Sequence, residues 1–167
     1  MYCNARIIVA ALTADGFIGR DSGHLADWTS KEDKQLFVRL TKEAGVLVMG
    51  ANTYKTIGRP LPGRRNLVYS RSSLDFPGVE VVTEPPQALI ARLEREGHTA
   101  LAVCGGQAIY DMFLQAGVVT ELYLTIEPVL FGSGIPLLKA PLAASLALKE
   151  FEKLNEHTIL LHYEVTN

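Results

Sequence analysis

The chain has only two cysteines, Cys3 and Cys104, in 167 residues. Two thiols so far apart supply neither a disulfide framework nor a zinc-ligand spacing. Long apolar runs are also missing. None approaches the ~20 residues needed to span a bilayer, so no membrane anchoring is expected. Charge of one sign is scarce as well, with 16 basic and 18 acidic residues and a net charge of −2. No basic tract offers a surface for nucleic acid or an anionic membrane. Internal repeats, low-complexity tracts and linkers are absent, which argues against a solenoid or a multidomain chain. Met1-Tyr-Cys-Asn-Ala-Arg6 leads directly into a strand-like run and lacks the pattern of a cleaved signal, so the cytoplasm is the expected location. What is present is ordinary for a globular protein: 48% apolar and 20% charged residues. One domain spanning 1–167 with a substantial core is the simplest organisation.

Five short apolar runs read as strands buried on both faces: Ile7 to Leu12, Val46 to Met49, Leu67 to Tyr69, Val79 to Val82 and Leu101 to Cys104. Between them lie helix-like segments at Ser30 to Glu43, Asn52 to Ile57, Pro86 to Glu96 and Gln107 to Ala116. The last third changes character. Glu121 to Val129, Ala147 to Leu154 and Thr158 to Val165 read as longer strands, with Leu154-Asn-Glu-His157 as a hairpin turn. Strand–helix alternation followed by strands predicts a three-layer α/β/α fold. Its mixed, mainly parallel sheet has about eight strands and an antiparallel C-terminal edge.

The segment Gly50-Ala-Asn-Thr-Tyr-Lys-Thr-Ile-Gly-Arg-Pro-Leu-Pro-Gly-Arg64 carries the strongest chemical signal. A buried strand ends in glycine, a short helix opens, and an Arg/Pro/Gly-rich return follows. Such a corner suits an anionic small molecule, because backbone N–H groups attract phosphate and an arginine fork matches a carboxylate. Pro60, Pro62 and Gly63 stiffen the return, so little entropy is lost in aiming Arg64. A second corner, Val103-Cys-Gly-Gly-Gln-Ala-Ile-Tyr110, ends a strand and opens a helix. Its glycines allow close backbone approach by a ligand or simply a tight turn. Asp33 has two readings. With Ser30 it fits a helix N-terminal capping pattern. It also shares a helical face with Phe37 and Leu40, where a carboxylate needs partners or its pKa rises.

These motifs resemble the dihydrofolate reductase family over nearly the whole chain. Trp28-x4-Asp33-x3-Phe37 has the spacing of that family's active-site helix, and Leu122-Tyr-Leu-Thr125 resembles the strand whose hydroxyl meets the catalytic carboxylate. The resemblance implies reduction of dihydrofolate with NADPH. Asp33, Thr125 and Trp28 would form the catalytic group, and Ala11, Phe37, Ile57, Leu61 and Arg64 would bind substrate. The cofactor would meet Ile18 and Gly19 of a lid, Asn52 and Thr53, Ser70 and Arg71, and the run Cys104, Gly105, Gly106, Gln107, Ala108, Ile109 and Tyr110. In the family the glycine pair often carries a cis peptide. Arg71 would read the cofactor's 2′-phosphate, because Ala51 and Ala108 replace residues that often contact phosphate there; Arg65 is the weaker candidate. The loop from Asp15 to Trp28 is long, lacks the proline usually found before the tryptophan, and carries His24, which reads as an exposed loop residue.

A second resemblance complicates the first. Glu127-Pro-Val-Leu-Phe-Gly-Ser-Gly-Ile-Pro-Leu137 is similar to a turn in the riboflavin-biosynthesis reductases of the same superfamily. The alternatives to dihydrofolate are therefore a phosphoribosylaminopyrimidine substrate or a non-catalytic nucleotide-binding domain. The intact Gly58-Arg-Pro-Leu-Pro-Gly-Arg64 run favours folate. No metal and no macromolecular partner is implied, and either a monomer or a homodimer is compatible with the sequence.

Overall fold

A computed structural model describes residues 4–23, 26–72 and 77–167. Cys3 and His24 lie outside the described residues. The strands are β1 (Ala5–Thr13), β2 (Phe17–Gly19), β3 (Val46–Gly50), β4 (Arg65–Tyr69), β5 (Glu80–Val82), β6 (Ala100–Val103), β7 (Glu121–Glu127), β8 (Ile135–Pro136), β9 (Leu146–Lys153) and β10 (Ile159–Val165). The helices are α1 (Lys31–Ala44), α2 (Ala51–Ile57), α3 (Pro86–Arg95) and α4 (Gln107–Gln115).

Eight strands form one sheet in the order β5-β4-β3-β6-β1-β7-β10-β9, and β2 pairs with β8 in a separate two-stranded ribbon. Neighbours from β5 to β7 run parallel, while β10 is antiparallel to both β7 and β9. The three-layer fold with an antiparallel edge is thus present. Side-chain alternation divides the core in two. Ile8, Ala10, Val46, Val48, Leu122 and Leu124 pack with α3 and α4 on one face. Ile7, Val9, Leu47, Met49 and Tyr123 pack with α1 and α2 on the other. Because a strand's side chains alternate, Thr125 and Glu127 fall on the α1 face with Tyr123.

Helix α1 begins at Ser30, whose hydroxyl accepts from the Asp33 amide at 3.1 Å, and ends at Gly45 in the left-handed region. Its apolar stripe, Leu36 and Leu40 with half-buried Phe37, lies against the sheet. The expected hairpin closes β9 and β10, with the Leu154 amide donating to the Thr158 carbonyl at 2.9 Å. The β2–β8 ribbon was not expected. It pairs part of the predicted lid loop with Ile135–Pro136, directly after the Gly132-Ser-Gly134 turn. Gly134 is required there, because a Cβ at that position would stand 2.5 Å from the Gly19 carbonyl oxygen.

Candidate active site

The C-terminal ends of β1, β3, β6 and β7 converge on one side of the sheet, where open α/β sheets hold their ligands. Ala11 pairs with Thr125 and Thr13 with Glu127 across β1 and β7. Asp33 projects from the first turn of α1 toward β7, within interaction range of Thr125, a side chain 1% exposed that favours its ionised carboxylate. Its pKa is raised above the ordinary 3.8 of an aspartate, first by burial and then, against the lowering effect of Thr125, by the nearby Glu127 charge. Lys34 and Thr29 pull weakly in the opposite direction. A carboxyl group held in this way binds a proton more readily than a solvated one.

Phe37 follows one turn along the same face, and Thr41 one turn further. Thr41 is fully buried, and its hydroxyl donates to the Phe37 carbonyl at 2.7 Å. Arg64 reaches this hydroxyl with Nη1 at 3.0 Å, while its Nε donates to the Pro62 carbonyl at 2.9 Å. Burial lowers the Arg64 pKa, and among the described residues no carboxylate pairs with it. The loop carrying it is stapled by Asn66. That side chain accepts from the Leu61 amide at 2.9 Å and donates to the Leu61 and Arg64 carbonyls. Ile57 and Leu61, both half-buried, pack against the α1-side core and complete the wall.

The two glycine corners meet. The Gly50 amide donates to the Gly105 carbonyl at 2.7 Å, and the Gly105–Gly106 peptide is cis. A Cβ on Gly106 would lie 3.4 Å from Thr53 Oγ1, and one on Gly105 would lie 3.3 Å from the Tyr110 hydroxyl. Bare backbone therefore packs closely against Thr53 and Tyr110 at this corner, where a side chain would crowd both. Tyr110 is fixed beneath it by donating to the Val9 carbonyl at 2.9 Å. Asn52 and Ala108 are exposed along the rim; Cys104 and Ile109 are buried behind it. Burial pushes the Cys104 thiol up to about 12, so it acts as an apolar side chain. Gln107 donates to the Pro136 carbonyl at 2.9 Å, tying α4 to β8.

Ser70 and Arg71 follow β4. The Ser70 hydroxyl contacts Ser72, and exposed Arg71 makes no ion pair among the described residues. Arg65, by contrast, is committed to Glu80 and Glu96. Ile18 and Gly19 sit on β2. Asp15 locks this loop to the segment after β7, accepting from the Thr13 hydroxyl at 2.7 Å and from the Phe131 and Gly132 amides. Trp28 meets the Phe131 ring edge-on at 5.3 Å, with the Arg20 guanidinium over that ring at 4.1 Å.

Three contributors escaped the sequence reading. Thr41 looked like one more helix residue, although its spacing from Asp33 by two helical turns marks the same face. Asn66 looked like a strand start. Glu127 shares a strand face with Thr125, and that alternation was the available signal.

This arrangement of parallel sheet, glycine corner and half-buried carboxylate is that of a reductase of the dihydrofolate-reductase superfamily, which the family match establishes. Over 98% of its length the chain superposes on a pyrimidine reductase-like protein from Corynebacterium diphtheriae, covering 92% of that chain, with TM-score 0.84 and 20% identity. A diaminohydroxyphosphoribosylaminopyrimidine deaminase/5-amino-6-(5-phosphoribosylamino)uracil reductase from Thermotoga maritima gives TM-score 0.78 at 14% identity. That match covers 98% of this chain and 57% of the other. Sequence is more specific. The family model for dihydrofolate reductase matches residues 6–128, and the chain belongs to that family. It is 38% identical over 119 residues to dihydrofolate reductase type 3 of Salmonella typhimurium, covering 71% of this chain and 68% of the relative. Dihydrofolate reductase type A13 of Escherichia coli is 33% identical over 156 residues, covering 91% and 85% respectively.

Proposed function

We propose that this protein reduces 7,8-dihydrofolate to 5,6,7,8-tetrahydrofolate at the expense of NADPH and one proton. One observation carries the reading. Asp33 and the Thr41-bound Arg64 stand at the two ends of one face of α1, separated by the two turns from Asp33 to Thr41, about 12 Å of helix rise. A proton-binding carboxyl at one end suits the amino group and ring nitrogen of a pterin. A partly desolvated guanidinium without a carboxylate partner among the described residues suits the tail carboxylate at the other.

NADPH, when bound, supplies hydride to C6 of the substrate. The protein's contribution is placement and electrostatics. Asp33 holds the pterin and favours protonation at N5, with Thr125 fixing the carboxyl and Trp28 walling the site. Phe37, Ile57, Leu61 and Ala11 would line the substrate's place along that face and exclude water. The glycine pair, with Thr53 and Tyr110 on either side, fits the cofactor, and Asn52, Ser70 and Arg71 would hold its phosphates.

A second reading rests on the β2–β8 ribbon. It gives structural form to the turn shared with riboflavin-pathway reductases, so their substrate class belongs in the test. Purified protein is offered NADPH with dihydrofolate, with a phosphoribosylaminopyrimidine, or alone, and loss of the reduced-nicotinamide absorbance is followed. Oxidation with dihydrofolate is expected. Oxidation with the pyrimidine alone would transfer the assignment to that class, and oxidation with neither would favour a nucleotide-binding domain without catalysis.

A further inference from the structure

The N-terminus of α1 is capped in an unusual way. In a capping box, the acid three residues after the cap reaches back to the cap's own N–H. Here that acid is Asp33, yet the Ser30 N–H does not go to it. Glu127 Oε2 accepts the Ser30 N–H at 3.1 Å, and Oε1 accepts the Ser30 hydroxyl at 2.8 Å. The Thr158 hydroxyl lies 3.4 Å from Oε2. Ser30 Oγ in turn accepts from the Asp33 amide at 3.1 Å. Glu127 therefore takes the position the Asp33 side chain would otherwise fill and leaves that carboxyl free to face Thr125.

Glu127 is 2% exposed, and among the described residues no Lys, Arg or His pairs with it. A buried carboxylate is costly unless donors surround it. Pairing a helix N-terminal cap with such a group for stability alone is a poor solution, because a neutral side chain would cap Ser30 without desolvating a charge. Its location beside Asp33 gives the charge a use.

We propose that Glu127 is a positioning residue of the active site, which releases Asp33 from the helix cap through Ser30 and sets a second negative charge beside it. This role rests on the reductase reading above. The groups facing Asp33 are Glu127 on β7, Lys34 on its own helix and the Tyr110 hydroxyl on α4, with Thr125 and Thr29 as hydroxyl partners. Of the two carboxylates, the buried Glu127 holds the cap and the more exposed Asp33 works on substrate. The Glu127 charge opposes ionisation of Asp33, and its removal lets Asp33 ionise at lower pH or swing back to Ser30. Both responses act in the same direction.

The test uses Glu127→Gln, which is nearly isosteric, and Ser30→Ala, which keeps the charge and breaks the hydroxyl relay. The Asp33 carboxyl carbon is titrated by ¹³C NMR in the full-length protein, its signal assigned by its loss in Asp33→Asn. The midpoint is expected to move to lower pH in Glu127→Gln and not to fall in Ser30→Ala. An unchanged or higher midpoint in Glu127→Gln overturns the proposal. In turnover, the kcat–pH profile of Glu127→Gln should shift to lower pH, with kcat at neutral pH down roughly tenfold or more, and Glu127→Asp should restore the profile's position. A uniform loss at every pH would mark a merely structural residue and also overturn it. If dihydrofolate is not reduced at all, the function assignment fails while the NMR titration still decides the role of Glu127.

Discussion

Replacing Arg64 with alanine separates the substrate's tail from its head. In the structure the guanidinium is held by Thr41 at 3.0 Å and by the Pro62 carbonyl at 2.9 Å, so the fork is aimed before ligand arrives. Its remaining N–H groups are available to a carboxylate. A hydrogen bond to a charged group contributes about 1.5–3 kcal/mol, so its loss corresponds to roughly 10- to 150-fold weaker binding. Asp33 lies two helical turns away, and Arg64 is not among the groups that shift its pKa. The KM for dihydrofolate should therefore rise within that range while kcat changes little, measured by steady-state kinetics at saturating NADPH. A dihydropterin without the glutamate tail serves as the control substrate and should be turned over equally by both proteins. If Arg64→Ala impairs the tailless substrate as much as dihydrofolate, the arginine acts on the scaffold and the tail-carboxylate assignment is wrong.

Other outcomes follow from individual contacts. Because the Asp33 pKa is raised in the folded protein, the native state binds its proton more tightly than the unfolded chain does. Ionised Asp33 therefore weakens the fold above the ordinary carboxylate range, and the penalty disappears below pH 3.8. Asp33→Asn should show a higher Tm than wild type at neutral pH and no advantage near pH 3, and a lower Tm at neutral pH would reverse that sign. Gly105 has φ +112°, and an alanine Cβ there would meet the Tyr110 hydroxyl at 3.3 Å. Gly105→Ala should destabilise the fold by about 1–3 kcal/mol and weaken NADPH binding, read by denaturation and by fluorescence titration. Phe113 is fully buried, and Phe113→Ala should lower the unfolding free energy by about 3–5 kcal/mol. A loss under 1 kcal/mol would mean the α3–α4 side of the core repacks freely.

The centre of the sheet was legible because strands such as Val46-Leu-Val-Met49 are buried on both faces, whereas edge strand β5, also expected to be doubly buried, leaves Val81 exposed, and edge strand β9 is exposed throughout. Helix α1 was legible from its cap and apolar stripe. The ribbon of β2 and β8 was not, because three- and two-residue strands carry too few side chains to display a period. Asp33 and Thr125 could be paired from strand alternation, helical spacing and family resemblance together. The sequence reading treated the cap and the site as competing explanations of Asp33. In the structure both hold, with its amide in the cap and its carboxyl in the site. What separates them is Glu127, 97 residues beyond Ser30 and brought to it only in the folded chain. Thr41 was missed for a similar reason, since its partner Arg64 arrives from a loop whose path depends on Asn66.

The central claim is that a half-buried, proton-binding Asp33 sits where a pterin is reduced. The most direct measurement is tetrahydrofolate formation by purified protein supplied with NADPH and dihydrofolate, wild type against Asp33→Asn, with NADPH affinity measured on both. The account predicts product from wild type, at least a hundredfold slower formation by Asp33→Asn at neutral pH, and equal cofactor affinity. Equal rates from the two proteins, with cofactor affinity intact, would contradict it.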